Sequence, residues 1–249
     1  FCLSRGLGDV YKRQVPARAI IEIRNSDLNE VIITSGDIID QAFLGEDSLT
    51  SVIFGDGVTS IGAEAFSDCY GLTSITIPDS VTSLGYSAFE NCSNLTNVTI
   101  GNGVKSIDYA VFRYCSSLTS VTIGNSVVNI SDSAFYECNK LTNINIPESI
   151  ADIGVAFQAC SSLKYNEHNN GCYLGNENNP YLVLVTVKSK DMTSFSVNEK
   201  CKIIIEGAFY NTSFKNVTIG DNVTSIGDIF YNCPVSYTHL RAHETGRNL

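Results

Sequence analysis

The sequence has no tryptophan, one methionine and three histidines in 249 residues. Acid–base catalysis and metal ligation lean on histidine, so candidates for either are few. Positive charge is scarce as well. Sixteen Lys and Arg face 26 Asp and Glu, for a net charge of −10 and a pI of about 4.7. Such a balance argues against a nucleic-acid backbone as partner. No apolar run approaches the ~18–20 residues of a membrane-crossing helix. Nine cysteines are present, yet no CxxC or CxH occurs, so the close ligand spacing of a zinc site is missing. What the chain does have is 43% hydrophobic residues against 17% charged. That is enough apolar material for a buried core and argues against disorder. The composition points to a binding or structural module.

The two ends read differently from the interior. Residues 1–14 (FCLSRGLGDVYKRQ) and 235–249 (VSYTHLRAHETGRNL) resemble translated sequencing-adapter scars. They are set aside on that reading, which leaves 15–234 as the natural part. Removing them leaves 11 basic and 24 acidic residues, a net charge of −13. It also removes Cys2 and the His239, His243, Glu244 group, whose i, i+4 histidines could otherwise share a metal on a helix. His168 is then the one remaining histidine.

The interior is a repeat, the pattern to be sought before individual elements. Phe43, Phe66, Phe89, Phe112 and Phe135 are spaced by 23 residues; Phe157, Phe209 and Phe230 follow at 22, 52 and 21. Three residues after the Phe stands Cys69, Cys92, Cys115, Cys138, Cys160 or Cys233; Glu46 and Thr212 replace it in the first and seventh copies. Six residues after it stands Leu49, Leu72, Leu95, Leu118, Leu141 or Leu163. From Leu72 the unit reads LTSITIPDSVTSLGYSAFENC. Ile75 and Ile77 alternate with Ser74 and Thr76, which predicts a strand with one buried face. Pro78-Asp79-Ser80 predicts a turn. Val81 and Leu84 line a second short extended piece. Ala88, Phe89 and Cys92 fit one side of a single helical turn. One unit is too short to bury its own apolar side, so stacked neighbours must do so.

These units are similar to BspA-like leucine-rich repeats, LxxIxIPxxVxxIxxxAFxxCxx, from Leu28 to Cys233. The resemblance implies a mainly β, leucine-rich-repeat-like solenoid with a strand, a turn and a short helical turn per coil. The 52-residue spacing adds a β-hairpin insertion at about 164–191. Its strands are Gly171–Leu174 and Tyr181–Lys188, with Asn176–Pro180 as the turn. The repeat resumes at Met192, where Met192–Cys201 aligns with Leu49–Val58.

Chemistry-bearing residues each have a plain structural reading. The Cys69–Cys160 series at the repeat period fits small buried thiols; disulfides along the series are the alternative. Cys201 takes a Val position in the core, and Cys172 is the thiol expected to be exposed. Gly55-Asp56-Gly57 lacks the lysine and helix of a phosphate loop and reads as a turn. Asp56, Asp79, Glu148 and Asp221 share one turn position with Asn102 and Asn125, either as a calcium edge or as a solvated row. His168 reads as a solvated loop residue. No catalytic residue, metal site or cofactor is assigned. Sequons at Asn94, Asn97, Asn216 and Asn222 read as by-products of the repeat.

The candidate ligand-binding surface is the outward face of the first strand in each coil. One row holds Ser51, Ser74, Asn97, Ser120, Asn143 and Asn216; the other holds Ile53, Thr76, Thr99, Thr122, Asn145 and Thr218. Sheet faces of solenoids commonly bind ligands, although Ser, Thr and Asn also simply keep a β-surface soluble. Tyr70, Tyr86, Tyr109, Arg113, Tyr114, Tyr136 and Tyr231 lie on the other flanks as a rival surface. The resemblance implies an extracellular or cell-surface location and a non-enzymatic role in adhesion. The partner would be a protein, such as an extracellular-matrix or cell-surface glycoprotein. A spacer displaying another domain and a non-catalytic part of a larger glycan-processing enzyme are the alternatives.

Overall fold

The computed structural model describes residues 20–23 and 29–228. The terminal segments 1–14 and 235–249, with Cys2, His239, His243 and Glu244, lie outside them, as do Phe230, Tyr231 and Cys233. The chain forms two compact units, one ending at Ile144 and including Ala156–Leu163, the other comprising Asn145–Val155 and the residues from Lys164 onward.

In the first unit the alternating apolar residues make parallel ladders at the sequence period. Strands Glu30–Ile38, Ser51–Ile61, Ser74–Ile77, Asn97–Ile100, Ser120–Thr122 and Asn143–Ile144 line up in that order. Ser74 pairs with Asn97, Ile75 with Val98, Thr76 with Thr99 and Ile77 with Ile100. Ile20–Ile23 adds an antiparallel strand beside Glu30–Ile38. The second extended piece of each coil forms further parallel pairs, Ser60 with Ser83 and Ser106 with Asn129. Between the two pieces the backbones of adjacent coils come very close: a Cβ at Gly103 would lie 2.2 Å from the Asp79 carbonyl oxygen, which is why glycine recurs in this turn.

The segment after the second piece is not a helical turn. No helix occurs among the described residues. Most coils instead have two positions with left-handed φ, such as Glu64 (55°) and Asp68 (60°), Ser87 (52°) and Asn91 (59°), or Ala110 (58°) and Tyr114 (60°), and the Phe157 coil has one, Ala159 (62°). Alternate N–H groups are thereby turned toward the next coil. Glu64 donates to Tyr86 C=O at 2.9 Å, Phe66 to Ala88 at 2.8 Å and Asp68 to Glu90 at 2.9 Å. The same three bonds recur from Ser87, Phe89 and Asn91 to Tyr109, Val111 and Arg113. A left-handed non-glycine residue costs on the order of 1 kcal/mol, and an added intercoil hydrogen bond offsets about that much.

Phe43, Phe66, Phe89, Phe112, Phe135 and Phe157 stack in one column, with neighbouring centroids 5.0 to 5.6 Å apart and interplanar angles of 3° to 14°. Leu49, Leu72, Leu95, Leu118, Leu141 and Leu163 are buried with them.

The second unit turns the same coil to a different packing. Gly171–Leu174 and Val183–Val187 form the antiparallel hairpin, and Asn166–His168 pairs with its first strand. The second hairpin strand also pairs parallel with Ile203–Ile204, which pairs with Ser225–Ile226. The hairpin is therefore built into a ladder of coils; it does not stand off as a lobe. Ser194–Ser196 and Asn216–Thr218 form a separate parallel pair. Phe209 packs edge-on against Phe195 and Phe214, with no parallel stack. Phe214 fills the leucine place of the coil. Tyr173 is fully buried, and its hydroxyl accepts the Asn198 N–H at 3.0 Å.

Candidate functional site

The cysteine series is structural. Each Sγ donates to the phenylalanine carbonyl of the preceding coil: Cys69 to Phe43 (3.1 Å), Cys92 to Phe66 (3.1 Å), Cys115 to Phe89 (3.2 Å), Cys138 to Phe112 (3.2 Å) and Cys160 to Phe135 (3.0 Å). All are free thiols and buried. Burial is the main cause that pushes Cys69 up to about 12 and Cys160 up to about 11, and it holds Cys92, Cys115 and Cys138 well above the ordinary thiol range. A nucleophilic or metal-binding cysteine needs the opposite shift. Cys201 sits in the core, donating to Ile203 C=O at 3.2 Å. Cys172 is buried too, contrary to its expected exposure, because its strand is enclosed by pairing on both sides. In the native chain, Ellman's reagent should leave the seven described thiols of the nine unmodified until denaturant is added. Rapid native labelling of Cys92 or Cys115, mapped by mass spectrometry, would contradict this packing.

The other candidate sites resolve similarly. His168 lies in a strand, half-buried, with its ring 5.4 Å from that of Tyr181 and Nε2 3.0 Å from Asn169 Nδ2; it is not a free loop residue. Asp79 Oδ1 accepts the Asn102 N–H at 2.6 Å, and Asn102 Oδ1 accepts the Asn125 N–H at 2.9 Å. This row thus caps backbone donors from coil to coil. Glu148 pairs with Lys202 Nζ at 2.6 Å, and the hydrogen bond from Lys202 holds its pKa below the usual carboxylate value. Among the described residues no three His, Cys, Asp or Glu side chains come together as a metal would require.

The strand face stays open. Ser74, Thr76, Asn97, Thr99, Ser120, Thr122 and Asn143 are exposed, Ser51 is half-buried, and Ile53 is 45% exposed. Ser120 Oγ donates to Asn97 Oδ1 at 2.8 Å, and Asn97 Nδ2 donates to Thr96 Oγ1 at 2.9 Å. The hydroxyls of Thr76, Thr99 and Thr122 make no hydrogen bond among the described residues. They repeat one coil apart in register, about 4.8 Å per step.

Nine of the twelve residues lie in the first unit. Asn145, Asn216 and Thr218 are exposed but belong to the second unit. There Asn216 and Thr218 face the same way as Ser194 and Ser196 of the paired strand. Those two serines are absent from the rows read off the sequence. The alignment of Met192–Cys201 with Leu49–Val58 already places them at the Ser51 and Ile53 positions.

The turn segments of the first unit carry the aromatic surface. Tyr70, Tyr86 and Tyr109 are 40%, 52% and 50% exposed. Asp68 Oδ1 accepts from Tyr70 Oη at 3.2 Å and from Asn91 Nδ2 at 2.8 Å, and its charge raises the Tyr70 phenol above its ordinary value. Arg113 lies between Tyr114 and Tyr136, 4.6 and 5.3 Å from their ring centroids.

A family model for the BspA type leucine rich repeat region matches residues 36–164 and 186–246, in six copies. Several solved structures are similar. A leucine rich cell surface protein from Faecalibacterium prausnitzii is 25% identical, over 85% of this chain and 77% of that one, with a TM-score of 0.43. The leucine rich repeat protein of T. pallidum is 20% identical, over 86% of each chain, with a TM-score of 0.46. A leucine-rich repeat protein from Bacteroides ovatus is 18% identical, over 88% and 80%, with a TM-score of 0.45. No curated protein matches the chain.

Proposed function

The chain belongs to the BspA-type leucine-rich repeat family, and from that premise we propose that it is a non-enzymatic protein-binding module of a cell-surface or secreted protein. Its role is adhesion to a host or neighbouring-cell protein, such as an extracellular-matrix protein or a surface glycoprotein. The observation that supports this reading best is the column of Thr76, Thr99 and Thr122. Three exposed hydroxyls with no partner among the described residues sit in register on a parallel ladder. Ser74, Asn97, Ser120 and Asn143 run beside them. A ligand strand or loop laid along this face meets prepaid geometry, because the ladder already fixes the backbone.

Full-length chain is passed over immobilised fibronectin, fibrinogen, laminin and collagen, beside a Thr76→Val, Thr99→Val, Thr122→Val variant. Valine keeps the shape and strand preference and removes the hydroxyls. Each lost hydrogen bond is worth about 0.5–1.5 kcal/mol, so the variant should bind about tenfold or more weakly with an unchanged melting temperature. Failure to bind any of the four at about 100 μM would favour the spacer reading, which the scarcity of Trp and Arg anchors on this face supports.

A further inference from the structure

We infer that the tyrosine-bearing turn face of the first unit docks an extended basic segment of a partner protein, seating Lys or Arg side chains between tyrosine rings and carboxylates. This face is separate from the strand face and does not depend on it.

The aromatic residues are placed by the repeat. Tyr86 and Tyr109 hold the same position in adjacent coils, tied by the Ser87 N–H to Tyr109 C=O bond at 2.9 Å. Each leaves about half of its surface in solvent. Tyrosine exposed in a cluster marks a contact surface, because it supplies large rigid area with one polar tip. The charge around it has one sign. Turn segments 40–47, 62–70, 85–93, 108–116 and 131–139 contain nine acidic residues and one basic residue, Arg113. Cations are what such a face attracts.

Arg113 shows the mode of recognition. Its Nη1 is 3.6 Å from Glu90 Oε1, its Nη2 donates to Tyr114 Oη at 3.0 Å, and its guanidinium lies over two tyrosine rings. One carboxylate and the ring faces thus hold a guanidinium supplied by the chain itself. Tyr86 and Tyr109, with Glu64 and Asp108 close in sequence and coil position, offer a similar combination of ring and carboxylate, while Arg113, the one basic residue of these turns, is already engaged by Glu90, Tyr114 and Tyr136. Long Lys and Arg side chains suit it, since their stems lie on the ring while the head reaches the carboxylate.

The test is fluorescence anisotropy of a labelled octa-arginine peptide on the full chain, at low and at physiological salt. Four proteins are compared: wild type, Tyr86→Ala with Tyr109→Ala, Tyr86→Phe with Tyr109→Phe, and the three-valine strand-face variant. All carry the same net charge, so charge alone predicts equal binding. The alanine pair should bind about five- to thirtyfold more weakly. The phenylalanine pair keeps the rings and should bind like wild type, as should the strand-face variant. A melting curve confirms that the alanine pair is folded; if it is not, the single Tyr86→Ala and Tyr109→Ala variants are read instead. Equal binding by the alanine pair and wild type would overturn the inference, leaving only unspecific attraction. Tyrosine-dependent binding of cellohexaose with no binding of the peptide would also overturn it, in favour of a neutral glycan. Because the strand-face variant is read in the same assay, failure here leaves the matrix-protein reading to its own test.

Discussion

Raising the pH from 9 toward 11 should strip stability from the first unit faster than exposed titrations allow. Burial, more than any other cause, holds five stacked thiols above the ordinary value of 9.0, with Cys69 at about 12 and Cys160 at about 11. In the unfolded chain the same thiols lose their protons near pH 9, while the folded chain keeps them. The folded state therefore binds more protons across this window, and its stability falls as pH rises. The contribution is complete below about pH 8.5 and lost progressively toward pH 12. Each thiol that keeps its proton only in the folded chain contributes a slope of about 1.4 kcal/mol per pH unit. Urea midpoints at several alkaline pH values, under reducing conditions, measure the slope. Cys92→Ala should reduce it by one proton. It should also cost about 1–3 kcal/mol at neutral pH, through the lost thiol contact to Phe66 C=O. A slope unchanged by Cys92→Ala would place the alkaline loss elsewhere.

The second large effect belongs to the phenylalanine column. Phe89→Ala should destabilise the chain by about 3–5 kcal/mol, since Phe89 is fully buried and stacked on Phe66 at 5.3 Å and Phe112 at 5.6 Å. Phe43→Ala should cost distinctly less. Phe43 stacks on Phe66 alone in this column and is 7% exposed. In a stacked array each coil draws its stability from its neighbours, so a hole in the middle removes two interfaces and a hole at the edge removes one. Urea unfolding of both variants gives the comparison. Equal losses at Phe43 and Phe89 would mean that the column does not cooperate.

The contrast between these residues also shows what could be read from the sequence. The period of Phe, Leu and Cys leaves little choice but stacking, because no single coil can bury them. The strand rows follow from alternation around Ile75 and Ile77. The turn segment is different. Ala88, Phe89 and Cys92 have a spacing that a helical turn would also satisfy. What decides against a helix is the row of N–H groups reaching the next coil from left-handed positions, a non-local effect that residues such as Ala110 and Tyr114 do not advertise. The hairpin is visible in the run from Tyr181 to Lys188, yet its parallel pairing with Ile203–Ile204 depends on a partner twenty residues away. Cys172 is buried because its strand pairs on both sides, and Asn216 and Thr218 pair with Ser194–Ser196 in a separate sheet. The thiol-to-carbonyl ladder is equally invisible, since a cysteine at the repeat period fits plain packing, disulfides or hydrogen bonding.

The most direct test of binding through the strand face puts the two faces side by side on one matrix ligand. Full-length chain, the three-valine strand-face variant and the Tyr86→Ala, Tyr109→Ala variant are titrated on whichever immobilised matrix protein wild type binds best, at physiological salt. Binding through Thr76, Thr99 and Thr122 predicts about a tenfold or greater loss for the valine variant and an affinity within about twofold of wild type for the tyrosine variant. Undiminished affinity in the valine variant, with its melting temperature unchanged, would contradict the strand face as the binding surface.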